Sequence, residues 1–150
     1  MNEDFDDLLR CLLDEEARFL IVGAHAMAAH GVPRATGDID VWIATDDLNV
    51  GRVFRALAKF GAPLGSMGVS PSDFLAPDLV VQVGIPPRRI DILTGISGVT
   101  FDAAWDRRDL FPFVGRSVPV LGRDDLMTNK RAAGRPKDIA DIAALTAKAK

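Results

Sequence analysis

The six residues Asp38-Ile39-Asp40-Val41-Trp42-Ile43 put the tightest constraint on the fold. They alternate, are rich in β-branched and aromatic side chains, and read as a β-strand. Strand side chains repeat every second residue, so the Asp38 and Asp40 carboxylates point to one face. Gly37 precedes them, which sets the pair at the start of the strand beside a loop. Two adjacent carboxylates repel by on the order of 4 kcal/mol at about 4 Å in an effective dielectric near 20. A fold holds them only where solvent, a base or a cation offsets that repulsion. Mg2+ prefers carboxylate oxygens and retains waters for phosphates, so it suits such a pair. Two solvated acids at an exposed strand edge are the plain alternative, and Asp-x-Asp alone does not separate the two.

The rest of the chain supplies the strand's neighbours. Phe5, Leu8, Leu9, Leu12 and Leu13 fall on one helical face, predicting a first helix from Glu3 to Arg18 with Asn2 as its cap. Glu3, Asp4, Asp6 and Asp7 suit the positive end of that helix. Phe19-Leu20-Ile21-Val22 reads as a buried strand stopped at Gly23, followed by a short Ala-rich helix over 24–30. Thr45 is the expected cap of a third helix, with Val53, Leu57 and Phe60 inward. Residues 61–78 are rich in Gly, Pro and Ser, and connections of that length are often functional or mobile. Leu79–Val83 and Arg89–Leu93 predict two strands separated by Gly84 and Pro86-Pro87, and Phe101–Arg107 a short helix. Phe113-Val114 and Ser117–Val120 flank a Gly115-Arg116 turn, with Pro119 expected to restrict its strand to an edge. Arg123–Ala133 is helical and closes at Gly134. Pro136 opens a last helix with Ile139, Ile142 and Leu145 as its expected inner face. The fold class is α+β: a small mixed sheet flanked by helices, with helices at the C-terminal end.

Composition narrows the classes. The 150 residues are 48% hydrophobic and 26% charged, which fits one compact domain over 1–150 and excludes a disordered chain. Cys11 has no partner for a bridge, and no Cys/His cluster has zinc spacing. The apolar run Phe19–Ala29 is interrupted by His25 and is too short to span a bilayer. The start of the chain is acidic, the reverse of a targeting peptide, so a cytoplasmic setting is expected. Net charge is −3, from −8 over residues 1–50, +2 over 51–100 and +3 over 101–150. The acidic first third is a solvated helix face or a cation site, and the basic last third can meet phosphate.

A strand ending in Gly23 before a helix is a device for receiving phosphate on backbone N–H groups, although a tight turn needs a glycine equally well. Asp91, between Ile90 and Ile92, faces opposite to that apolar pair and is either solvated or a third acid of the site. A phosphate-receiving turn with three carboxylates on neighbouring strands describes metal-assisted phosphoryl or nucleotidyl transfer. Arg34 and Thr36, just before the acidic pair, are candidates for phosphate or sugar contact or for the turn itself. His25 reads first as a structural histidine. Arg135, Lys137, Asp138 and Asp141 are either site residues or, for Asp138, a helix-dipole partner.

The run Ile21-Val22-Gly23-Ala24, thirteen residues, then Asp38-Ile39-Asp40-Val41 resembles the nucleotidyltransferase superfamily, relatives of the polymerase-β palm. With Gly31-Val32-Pro33-Arg34-Ala35-Thr36-Gly37, Arg89-Ile90-Asp91-Ile92-Leu93-Thr94 and the late Lys130…Gly134-Arg135-Pro136-Lys137-Asp138-Ile139-Ala140-Asp141, it is similar to small bacterial nucleotidyltransferase-like proteins. These are related to toxins of toxin–antitoxin systems. The resemblance implies that Asp38, Asp40 and Asp91 hold one or two Mg2+ ions and act in catalysis. Gly23, Ala24, Thr36 and Lys130 would bind the nucleotide, an NTP. Ala24 stands where the family has Gly or Ser, which leaves only a backbone N–H there. The implied reaction moves a nucleoside monophosphate onto a hydroxyl of RNA or protein, with a partner chain as another route to completing the site. A non-catalytic nucleotide-binding or regulatory module is the alternative, and a metal-dependent phosphohydrolase a third reading.

Overall fold

The computed structural model describes residues 3–34, 37–84, 88–113 and 115–148. Asn2, Thr36, Pro86-Pro87 and Val114, named above, lie outside the described residues. Helix α1 spans Glu3–Asp14, four residues shorter than its apolar pattern predicts. Its end is set by backbone geometry. Glu16 takes a left-handed φ of 56°, and the N–H groups of Glu16 and Ala17 donate to the carbonyls of Leu13 and Leu12, both at 3.0 Å. That pair of bonds is a Schellman stop, usually built on glycine, and apolar periodicity does not reveal it.

Strand β1 (Phe19–Val22) follows, then α2 (Gly23–Ala29), β2 (Asp38–Ile43), α3 (Asp47–Phe60) and the short α4 (Leu64–Met67). Strands β3 (Val80–Val83) and β4 (Arg89–Leu93), helix α5 (Phe101–Asp106), strands β5 (Asp109–Phe113) and β6 (Arg116–Val120), and helices α6 (Arg123–Ala133) and α7 (Pro136–Lys148) complete the order. The six strands form one mixed sheet in the order β3-β4-β2-β1-β6-β5. β1 pairs antiparallel with β2, and β2 parallel with β4. All four residues of β1 are buried, so the sheet is covered on both faces at its middle. α1 packs on α3, α2 on β1 and β2, and α6 on α7. The structure is α+β, a mixed sheet flanked by helices.

Four expectations are corrected. Asp46, not Thr45, caps α3: its side chain accepts from the Asn49 N–H at 2.9 Å. Strand β6 is not an edge strand, since it lies between β1 and β5. Its pairing with β1 is confined to the Ile21↔Val120 register, one residue past Pro119, so that ladder begins beyond the missing donor. The 61–78 segment is not a bare loop. It contains α4 and a 3-10 turn over Pro71–Leu75, and buries Leu64 and Phe74. Thr94, at the end of β4, closes it: its hydroxyl accepts from the Leu79 N–H and donates to the Ala76 carbonyl, both at 2.7 Å. Finally, α7 turns Asp138, Asp141 and Leu145 inward while Ile139 is 62% exposed. Ile142 and Leu145 pack on the core as expected, and the charged pair Asp138 and Asp141 shares that inner face in place of Ile139. Among the described residues, no helix is long and apolar enough to cross a membrane.

Asn49 is an unforeseen buried polar residue. Its amide accepts from the Arg18 N–H at 2.7 Å and donates to the carbonyls of Arg18 at 3.0 Å and Ala44 at 2.8 Å. It staples the start of β1 and the end of β2 to α3. Replacing it by leucine would strand the Arg18 N–H and the Ala44 carbonyl, while the Arg18 carbonyl keeps the Ala44 N–H at 3.3 Å. Asn49→Leu should therefore cost on the order of 2–4 kcal/mol. At roughly 2–4 °C per kcal/mol for a chain of this size, thermal unfolding should show a drop of about 4–16 °C.

Candidate active site

β2 and β4 run parallel with Asp38 opposite Arg89 and Asp40 opposite Asp91. Residues in register on neighbouring strands share a face, so these four side chains form a two-by-two array. The structure therefore brings Asp38, Asp40 and Asp91 together. Arg89, which the sequence reading left without a role, stands among them. Its Nη2 lies 2.8 Å from Asp38 Oδ2 and 3.3 Å from Asp91 Oδ2, and its Nε lies 3.1 Å from Asp91 Oδ1. The signal was present: Arg89 sits two residues before Asp91 on a strand, and hence on its face.

Asp40 is the strained member of the array. Burial, the negative charge of Asp91, a hydrogen bond shared with the Asp91 carboxyl and the charge of Asp38 push its pKa up to about 6, with Arg89 opposing. Such a bond between carboxyls needs a proton, which Asp40 holds below about pH 6. Asp91 itself is only 8% exposed, so a solvated-strand reading of this acid does not apply.

Gly23 lies directly against the array. Its φ is +66°, and a Cβ placed there would meet Asp40 Oδ2 at 2.1 Å. Both facts require glycine: the left-handed turn out of β1 and the approach of a carboxylate to bare backbone. Ala24 follows as the second residue of α2 and is half-buried. His25, on the same helix, packs its ring edge-on against Phe5 with centroids 5.6 Å apart. Burial lowers its pKa, against a hydrogen bond with the Asp38 backbone. It is a neutral packing residue.

Lys130 lies in a second charged cluster. Its Nζ is 2.9 Å from Asp141 Oδ2 and 3.4 Å from Asp138 Oδ1, and burial lowers its pKa against the pull of Asp138. Asp138 is fully buried and accepts from Arg135 Nε at 2.7 Å and from the Arg135 backbone N–H at 3.1 Å. Those bonds hold its carboxyl below the usual range. Asp141 also pairs with Arg34, from the segment that leads into β2. Arg34 and the α7 acids are thus bound to one another. Lys137 is exposed.

Among the described residues, no three His, Cys, Asp or Glu side chains are arranged to close on a metal ion. The donor set nonetheless fits Mg2+, which takes one or two carboxylates and completes its shell with phosphate oxygens and water rather than a protein cage. Burial first, and then the neighbouring negative charges, raise Asp40, and a divalent cation would relieve the charge part.

No family profile matches the chain, and no curated protein matches it by sequence. The structure does resemble a solved one, described as a "putative nucleotidyltransferase" from Thermotoga maritima. The TM-score is 0.62 at 14% identity, over 96% of this chain and 91% of that one. At that identity the likeness establishes a shared fold.

The two clusters give two stability predictions. Because the folded state binds a proton at Asp40 up to about pH 6 and the unfolded chain releases it near pH 4, metal-free stability attributable to Asp40 is present at low pH. It falls as pH rises through about 4 to 6, by on the order of 2–3 kcal/mol. His25, with a lowered pKa, contributes the opposite slope slightly higher, so the readout is the difference between wild type and Asp40→Asn in pH-dependent melts. The variant should gain relative stability as pH rises, and a constant difference would contradict the carboxyl coupling. In the second cluster, Asp138→Ala removes the buried acceptor of the Arg135 guanidinium and backbone N–H and the farther of the two acids beside Lys130, and should cost on the order of 2–3 kcal/mol. Lys130→Met should cost only about 1 kcal/mol, since each acid keeps an arginine. Urea unfolding of the two variants checks that order.

Proposed function

We propose that this protein is a Mg2+-dependent nucleotidyltransferase that moves a nucleoside monophosphate from an NTP to a hydroxyl of RNA or protein. The observation that carries the reading is the Asp38/Asp40/Asp91 array with Gly23 pressed against Asp40. It joins three acids on neighbouring strands to the turn where the superfamily it resembles receives phosphate. Asp38 and Asp40 would hold Mg2+, whose chemistry there is to neutralise triphosphate charge and support pyrophosphate departure. Asp91, in register with Asp40 and largely shielded from water, takes part in metal binding or accepts the proton of the attacking hydroxyl. Gly23 and Ala24 offer backbone N–H groups, and Thr36 and Lys130 complete the nucleotide contacts. Catalysis is then mostly positioning and charge neutralisation. The wider setting we propose is the one the resemblance implies, a toxin–antitoxin pair in the cytoplasm.

A specific observation favours a second reading, a nucleotide-binding module without turnover. Ala24 supplies no hydroxyl at the phosphate turn, and Arg89 occupies oxygens a metal would use. One experiment separates the two: incubation with each α-labelled NTP, Mg2+ and total cellular RNA or lysate. The transferase reading expects label on a macromolecule, lost by at least about 100-fold in Asp40→Asn, as for removal of a key electrostatic group. NTP binding without transfer or pyrophosphate release, for all four nucleotides, would leave the module.

A further inference from the structure

Among the described residues, Arg89 is the one cation inside the carboxylate array, and its geometry is that of a tie between strands. Through Nη2 it reaches Asp38 on β2 at 2.8 Å and donates to Asp91 Oδ2 on its own strand at 3.3 Å, with Nε 3.1 Å from Asp91 Oδ1. The array therefore sums to two negative charges rather than three. Asp38 Oδ2 and Asp91 Oδ2 face this guanidinium, while Asp40 is left between the two acids with like charge on either side. A divalent cation that draws on Asp38 and Asp91 competes with Arg89 for their carboxylates. The side chain is 31% exposed, so it has an open direction in which to withdraw. A guanidinium fork fits phosphate oxygens as well as it fits a carboxylate.

We propose that Arg89 is an exchangeable counter-cation. It neutralises Asp38 and Asp91 while no divalent cation is bound, yields them when one arrives, and then turns its fork to the triphosphate. This rests on the metal-dependent reading above and adds a residue and a sequence of events to it. Metal entry and phosphate recognition become coupled, because the group that guards the empty site is the one released to grip the substrate. The array is thereby kept from holding three uncompensated carboxylates at any stage.

The proposal predicts opposite signs for two ligands, which a merely structural arginine would not give. Calorimetry with Mn2+ alone, on metal-free protein, should show Arg89→Met binding the ion roughly tenfold more tightly than wild type, since a competitor of charge-assisted strength is gone. With Mn2+ saturating, inorganic tripolyphosphate should bind the same variant roughly tenfold more weakly. The metal-free melting temperature should fall, and Mn2+ should restore it. Arg89→Lys keeps a charge but cannot span both carboxylates, and should move both affinities in the same directions. It serves as the reporter if the methionine variant does not fold. Should wild type bind Mn2+ while the variants bind it equally well or less well, the exchange is overturned and the metal-dependent reading stands. Unaltered tripolyphosphate affinity overturns the phosphate step. No Mn2+ binding by any of the three overturns the metal reading and this proposal together.

Discussion

The parallel pairing of β2 with β4 is the constraint on which the candidate site depends. It sets Asp40 beside Asp91 and Asp38 beside Arg89, yet none of these charged residues chooses that register. The apolar face does. Ile39 faces Ile90 and Val41 faces Ile92 in the same pairing, and all four are essentially without exposure. A slip of one residue would turn an entire strand over, driving isoleucines into the array and carboxylates into the core. Hydrophobic burial of about 1.5–3 kcal/mol per large side chain outweighs the few kcal/mol of carboxylate repulsion that the pairing imposes. The site is held in place by residues that take no part in its chemistry.

Much of this was legible in the residues, because it rests on periodicity. Alternation located β2 and β4, and the Gly23 stop located the turn that lies on Asp40. The Pro136 start and Gly134 stop framed the two C-terminal helices. What was not legible rests on pairings between distant segments. The inner face of α7 was assigned to Ile139, Ile142 and Leu145 because apolar residues are expected inside. Ile142 and Leu145 do pack there, but Ile139 is exposed and the face also carries Asp138 and Asp141. The partners of these acids, Lys130, Arg135 and Arg34, come from α6, the helix start and the segment before β2. A buried carboxylate becomes affordable only when its cation is known, and spacing along one helix cannot supply that. Asn49 escaped notice for the same reason, its partners being backbone groups of Arg18 and Ala44.

Gly23 shows how tightly function and fold are joined at this turn. The position must leave β1 in a left-handed conformation and must also present bare backbone to Asp40 Oδ2. Any side chain would displace the Asp40 carboxyl, so the glycine that permits the turn also keeps it within hydrogen-bonding reach of Asp91. Arg89 works from the opposite side, drawing Asp38 and Asp91 together by charge. Asp40 is held between steric contact and like charge, and its pKa near 6 records that confinement.

The C-terminal cluster answers a further question, how Lys130 can be both a structural ion-pair partner and the nucleotide contact assigned to it under the proposed function. Its two acids are each paired twice. Asp138 keeps Arg135 at 2.7 Å and Asp141 keeps Arg34 if Lys130 withdraws. The penalty for stranding a buried carboxylate, several kcal/mol where no partner remains, is therefore not incurred. Only the weaker of the lysine's contacts and one strong one are lost, against the gain of a charge-assisted bond to phosphate. Burial already disfavours the charged form of Lys130 in its resting place, which reduces the cost of leaving it. Arg34 adds a geometric link, since the segment that carries it runs directly into Asp38. The two clusters differ in how their negative charge is compensated. The acids of α7 are compensated more than once, so that Lys130 can be lent to a phosphate without unfolding what it helped to hold. The acids of β2 and β4 can release Arg89 only when another cation takes its place.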